Sequence, residues 1–155
     1  MNTVDMPSPE HSVVGAYTPG SVHHQVGTDS KGAHILIVDD DPDTQTIVSV
    51  LIHMIGWETK SASNGASALD QVAAECPALI MLDLMMPGMS GFEVLKHLKA
   101  NPQTRNIPVI VISALGKDKR LLRLGVSKVI AKGEMTINTL REAIAEVLDT
   151  PHTET

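Results

Sequence analysis

The chain has 155 residues, enough for one domain of ordinary size and too few for two well-filled cores. Hydrophobic residues make up 43% and charged residues 19%, which excludes wholesale disorder, and the only aromatics are Tyr17, Trp57 and Phe92, so the core must be built from aliphatic side chains and Met. Twelve Lys and Arg against 18 Asp and Glu give a net charge of −6, which argues against direct nucleic-acid or anionic-membrane binding.

Residues 1–33 are dense in Pro, Gly, Ser, Thr and His and carry no apolar periodicity, so a flexible tail is expected there. His11, His23 and His24 lack a spacing that fixes a coordination geometry. From His34 the texture changes. Ile35-Leu36-Ile37-Val38 is a short aliphatic run that reads as a strand buried on both faces. Ile47, Val48, Leu51, Ile52 and Ile55 predict a helix with one buried stripe, and Asp41 before Pro42 is its N-cap. A more polar strand is expected at 57–62, followed by a helix burying Ala68, Leu69, Val72, Ala73 and Cys76. A third strand at 78–82 precedes a helix burying Phe92, Leu95 and Leu98. Strands at 109–112 and 129–131 follow, and a helix at 137–148 turns Leu140, Ile144, Val147 and Leu148 toward the sheet.

Strand and helix thus alternate five times, and right-handed helical crossovers between parallel strands give a doubly wound α/β sandwich spanning 34–149, with a short tail at 150–155. Neither a Walker loop nor a G-x-G-x-x-G follows any strand, which sets nucleotide-binding enzymes aside. A lone Cys76 cannot form an internal disulfide, the N-terminus has no signal-peptide pattern, and no apolar run reaches the roughly 20 residues of a membrane span, so the expected compartment is the cytoplasm.

In open α/β sheets the ligand site lies beyond the carboxyl ends of the strands. Asp39, Asp40 and Asp41 follow the first strand, Asp83 ends the third, Ser113 the fourth and Lys132 the fifth. Crowded carboxylates repel unless a cation is bound or a proton shared, and Mg²⁺ typically takes one or two carboxylates plus phosphate oxygens. Asp83 then suits a phosphoryl nucleophile, with Lys132 and the cation neutralising the transferred charge and Ser113 hydrogen-bonding a phosphoryl oxygen. Helix capping, the competing explanation for acids after strands, accounts for Asp41 but covers only one of Asp39 and Asp40. Asp83 precedes the apolar Leu84-Met85-Met86-Pro87-Gly88, which is no helix start.

The stretches Ile35-Leu36-Ile37-Val38-Asp39-Asp40-Asp41-Pro42 and Leu82-Asp83-Leu84-Met85-Met86-Pro87-Gly88-Met89-Ser90-Gly91-Phe92-Glu93 resemble the receiver domains of two-component response regulators, and the likeness runs over about 35–148. The resemblance implies a flavodoxin-like sheet of strand order 2-1-3-4-5. It also implies that Asp83 takes a phosphoryl group from a histidine kinase or phosphotransfer protein. Asp39 and Asp40 match the acidic pair, with Asp40, Asp83 and the Met85 backbone carbonyl binding Mg²⁺ directly. Ser113 matches the switch hydroxyl and Lys132 the family's lysine, and phosphorylation reshapes the surface around the fourth helix and fifth strand for an unknown downstream protein. Such a domain catalyses only its own phosphorylation and dephosphorylation and is not otherwise an enzyme.

Three features depart from the family pattern. Gly133 follows Lys132 where a proline is usual, which loosens the constraint on the lysine, and Val129 replaces an aromatic that moves with the switch hydroxyl. Only eleven residues separate Ser113 from Gly125, which predicts a short or irregular fourth helix. Met85 and Leu115 occupy the two positions that tune hydrolysis of the aspartyl phosphate; being apolar they cannot orient water, and a long-lived phosphorylated state is expected. The leading expectation is a stand-alone phospho-receiver, since nothing after Leu148 has the length of an output domain; the alternative is a receiver-like scaffold that works without phosphorylation. A Mg²⁺-dependent phosphatase would need a general acid where Met85 stands, and Lys117, Lys119, Arg120 and Arg123 read as a solvated basic face or the contact of an acidic partner.

Overall fold

A strand such as Ile35-Leu36-Ile37-Val38 has no polar face and is stable only with both sides covered. In the structure, a computed structural model that describes residues 33–149 except Leu115 and Lys117, this is what happens. The tail expected at 1–33 (Ala33 apart), the one at 150–155 and Leu115 lie outside the described residues.

Strands β1 (His34–Val38), β2 (Glu58–Ala62), β3 (Leu79–Asp83), β4 (Val109–Ser113) and β5 (Lys128–Ala131) form one parallel sheet in the order β2-β1-β3-β4-β5. Helices α1 (Pro42–Ile55), α2 (Gly65–Ala74), α3 (Gly91–Ala100), α4 (Arg120–Arg123) and α5 (Ile137–Asp149) alternate with the strands. The doubly wound, flavodoxin-like 2-1-3-4-5 sandwich expected from the sequence is therefore present. Every residue of β1, β3 and β4 is buried, whereas the polar β2 stands at an edge and buries Ala62 alone.

Side-chain alternation divides the core in two. Leu36, Val38, Ile80, Leu82, Val109 and Val111 meet residues of α2, α3 and α4, including Ala68, Val72, Val94, Leu95, Leu98 and Leu121. Ile35, Ile37, Leu79, Met81, Ile110 and Ile112 meet Val48 and Ile52 of α1 and Leu140, Ala143, Ile144 and Val147 of α5. Burying a Leu, Ile or Val side chain is worth about 1.5–3 kcal/mol, so these two layers clamp the central strands β1, β3 and β4 between the helices.

Four residues expected in buried stripes face outward. Ile47 is exposed because its expected neighbour Val48, turned about 100° from it, faces the sheet; Phe92 is exposed because Val94, two residues on and about 200° round the helix, takes the sheet-facing position. Ala73 is exposed in the last turn of α2, and Cys76 lies beyond its end, which Glu75 caps.

The helix starts follow local chemistry. Asp41 caps α1 as expected, its Oδ1 accepting the Asp43 N–H at 3.1 Å, and Pro42 opens the helix. Ser90 and Glu93 form a reciprocal capping box on α3. Helix α4 has no side-chain cap and amounts to a single turn, in line with the short connection after Ser113. Among the described residues no helix is long and apolar enough to cross a membrane.

Candidate functional site

Parallel register brings the strand ends to one edge. Val38 pairs with Leu82, so Asp39 and Asp83 come next on neighbouring strands; Asp83 pairs with Ile112 and Ser113 with Ala131, which puts Ser113 and Lys132 at the same edge. Asp39 and Asp83 are each 3% exposed, Ser113 is fully buried, and Asp40 reaches the surface.

The carboxylates of Asp39, Asp40 and Asp83 each have an oxygen within 4.8 Å of the other two. Lys132 Nζ lies 3.8 Å from Asp83 Oδ2 and 3.9 Å from Asp39 Oδ2. The other oxygen of each buried acid accepts a loop amide: Asp39 Oδ1 from Asp41 N–H at 2.8 Å, and Asp83 Oδ1 from Met85 N–H at 3.2 Å. Burial pushes the Asp83 carboxyl above its ordinary range, opposed by the Met85 N–H and Lys132. Burial raises Asp39 as well, and the Asp83 charge adds to it against the Asp41 N–H and Lys132. Three acids and one ammonium leave the ionised cluster two charges negative. An all-oxygen donor set with that deficit fits a hard divalent cation.

Asp39, Asp40, Asp83 and Lys132 are brought together; Ser113 ends the strand beside Asp83; Asp41 caps α1 and stays outside the cluster. Met85 turns its side chain to solvent, 58% exposed, while its amide holds Asp83. Gly133 lies in a 3₁₀ turn, Lys132–Glu134, and a Cβ there would meet nothing within 4 Å. With glycine behind it, Lys132 still lies within ion-pair distance of both buried acids. Val129 is partly buried against the α2–α3 side of the core.

Gly91 was not singled out by sequence reasoning. A Cβ on it would sit 2.3 Å from the Asp83 carbonyl oxygen and 2.6 Å from Leu84 Cα, and its N–H donates to Leu84 O at 3.0 Å. The start of α3 is thus seated on the backbone that carries Asp83. Within one sequence nothing separates this glycine from Gly88, three residues earlier, which is a turn glycine with φ of 78°.

The acidic edge and sheet order agree with a family match: the response regulator receiver domain family covers residues 35–145. The chain belongs to that receiver-domain family. Response regulator PleD of Caulobacter vibrioides is 40% identical over 103 residues, which are 64% of this chain and 23% of that protein. Sporulation initiation phosphotransferase F of Bacillus subtilis is 36% identical over 117 residues, 74% of this chain and 92% of that protein. The crystal structure of the receiver domain of NtrX from Brucella abortus matches with a TM-score of 0.69 at 28% identity, covering 76% of this chain and 99% of that one. This receiver domain therefore spans under a quarter of the length of PleD and nearly all of the Bacillus phosphotransferase.

Proposed function

We propose that this receiver domain accepts a phosphoryl group on Asp83, in a Mg²⁺-dependent transfer from a histidine kinase or phosphotransfer protein, and alters its protein contacts when phosphorylated. The observation that carries the reading is the pairing of a buried Asp83 carboxylate with Lys132 at 3.8 Å, beside two further acids. In the transfer a phosphorus–oxygen bond forms to the Asp83 carboxylate as the phosphorus–nitrogen bond to the donor imidazole breaks, and the bonding pair leaves with the imidazole. Asp40, Asp83 and the Met85 carbonyl, backed by Asp39, would hold Mg²⁺, which when bound neutralises charge on the transferred group.

Lys132 supplies a fixed positive charge toward the phosphoryl oxygens. Ser113, at the adjacent strand end, supplies a hydroxyl to one of those oxygens, and its movement carries the switch to the α4–β5 surface. The domain acts on itself alone, catalysing its own phosphorylation and dephosphorylation. A phosphohistidine donor is charged from ATP, which makes the cytoplasm its working compartment.

Helix α1 supports the choice of donor. It begins directly after the acidic loop, and Ile47, Val50 and Met54, at i, i+3 and i+7, leave an exposed apolar stripe on it, 52–64% exposed. Such a stripe fits the apolar face of a helix on the phosphodonor.

Incubation with acetyl phosphate and Mg²⁺ tests the reading by intact mass. A gain of about 80 Da, one phosphoryl group, is expected in the wild type and not in Asp83→Asn. No gain in a folded wild type would favour the phosphorylation-independent scaffold.

A further inference from the structure

We infer that Gln45 is a positioning residue for the acidic edge, fixing the Asp39–Asp40 peptide so that the Asp40 carboxylate stays within reach of Asp83; this rests on the phosphoryl-acceptor reading. Gln45 is half-buried in α1, near its start. Its Nε2 lies 2.7 Å from Asp39 O, 3.2 Å from Ala62 O and 3.3 Å from Ser63 Oγ. Two of these partners are carbonyls, which only accept, so the amide must present its NH₂ group to them.

The contact falls where the β1–β2 ladder ends. Val38 and Ala62 are the last register pair, and Ala62 O accepts both Asp39 N–H at 3.1 Å and the Gln45 amide. Beyond that rung the backbone turns into the acidic loop. A peptide unit is planar, so holding the Asp39 carbonyl sets the orientation of the whole unit that leads to the Asp40 Cα. Asp39 and Asp41 are tied by their own side chains, to Asp41 N–H and to Asp43 N–H. Asp40 is the exposed acid between them, and repulsion from two buried carboxylates favours its swinging out to water. The Gln45 amide opposes that movement through the backbone, without touching a carboxylate.

The test titrates Mg²⁺ into full-length protein and follows the Asp40 and Asp41 backbone amides by NMR, with thermal melting alongside. Gln45→Met keeps the side-chain length and removes the donor; Gln45→Asn keeps the amide and withdraws it by one methylene. Both are expected to weaken Mg²⁺ binding roughly tenfold, the effect typical of losing a group that orients a ligand. At saturating Mg²⁺ their labelling by acetyl phosphate returns to the wild-type level. Ser49→Ala is the control: it removes another tie between α1 and β2, the 2.7 Å contact with Thr59 Oγ1, a turn farther from the acids. It should lower the melting temperature and leave Mg²⁺ affinity unchanged. Wild-type Mg²⁺ affinity in both Gln45 variants, or an equal loss in Ser49→Ala, would overturn the role of Gln45 while the phosphoryl-acceptor reading stands. A folded wild type that binds no Mg²⁺ would overturn both.

Discussion

Asp39 and Asp83 are held in the same way: each accepts at Oδ1 the backbone N–H two residues on and turns Oδ2 to the Lys132 ammonium, at 3.9 and 3.8 Å. One cation therefore serves two buried acids on adjacent strands. Replacing Lys132 with Met should slow phosphorylation from acetyl phosphate roughly a hundredfold, the loss typical of removing one preorganised charge stabiliser. Lys132→Arg should retain more of the rate, and single-turnover labelling followed by mass spectrometry separates the two.

The raised pKa values of the same acids give the stability a pH dependence. A carboxyl whose folded pKa lies above its unfolded value of 3.8 contributes stability below that value and loses it as the pH rises through the folded pKa. At neutral pH without metal the ionised pair is thus a liability. Asp39→Asn, which keeps an acceptor for the Asp41 N–H, should raise the metal-free melting temperature at pH 7 by about 4 °C, equivalent to about 1 kcal/mol. The melting shift produced by Mg²⁺ on the wild type should shrink as the pH falls toward the acids' folded pKa values, because protons and metal compete for the same oxygens. A Mg²⁺ shift that is constant from pH 7 down to pH 4 would contradict this.

Gly91 links the core to the site. Gly91→Ala drives a methyl into the Asp83 carbonyl and should destabilise the domain by about 1–3 kcal/mol, measured by urea unfolding. Its Mg²⁺ affinity should fall with it, since Leu84 and Asp83 must shift to make room.

On the phosphoryl-acceptor reading, Met85 is expected to bear on the lifetime of the phosphorylated state. Its side chain is apolar and solvent-facing, so it offers no hydrogen bond to an attacking water, and the aspartyl phosphate should hydrolyse slowly. Met85→Glu should speed loss of the label about tenfold, equivalent to about 1.4 kcal/mol, or one productive hydrogen bond. Rapid self-dephosphorylation of the wild type in Mg²⁺ would refute this.

The α1 stripe separates docking from chemistry. Ile47→Glu with Met54→Glu places charge on the exposed apolar face and should slow transfer from a phosphorylated histidine donor by at least about tenfold. Labelling by acetyl phosphate, which needs no docking face, should not change.

Much of this was legible before the structure, and for a physical reason. The runs around Ile35, Ile80 and Val109 are apolar without interruption, which only a doubly covered parallel strand tolerates, and parallel strands send all their carboxyl ends to one edge. Asp39, Asp83, Ser113 and Lys132 could therefore be grouped by their position after strands alone. Helix facing was less legible, because Ile47 beside Val48, or Phe92 close to Val94, satisfies the same spacing rule and only packing chooses between them. Gln45 and Gly91 were not legible at all. Gln45 acts on carbonyls at 39 and 62, and Gly91 matters because of a backbone seven or eight residues away that folds back against it.

The most direct test is to find which carboxylate carries the phosphoryl group. Protein labelled with acetyl phosphate and Mg²⁺, then reduced with borohydride, converts an aspartyl phosphate to homoserine, and peptide mass mapping locates it. Homoserine at 83 alone is the predicted result. Homoserine at 39 or 40, or labelling that persists in Asp83→Asn, would contradict Asp83 as the acceptor.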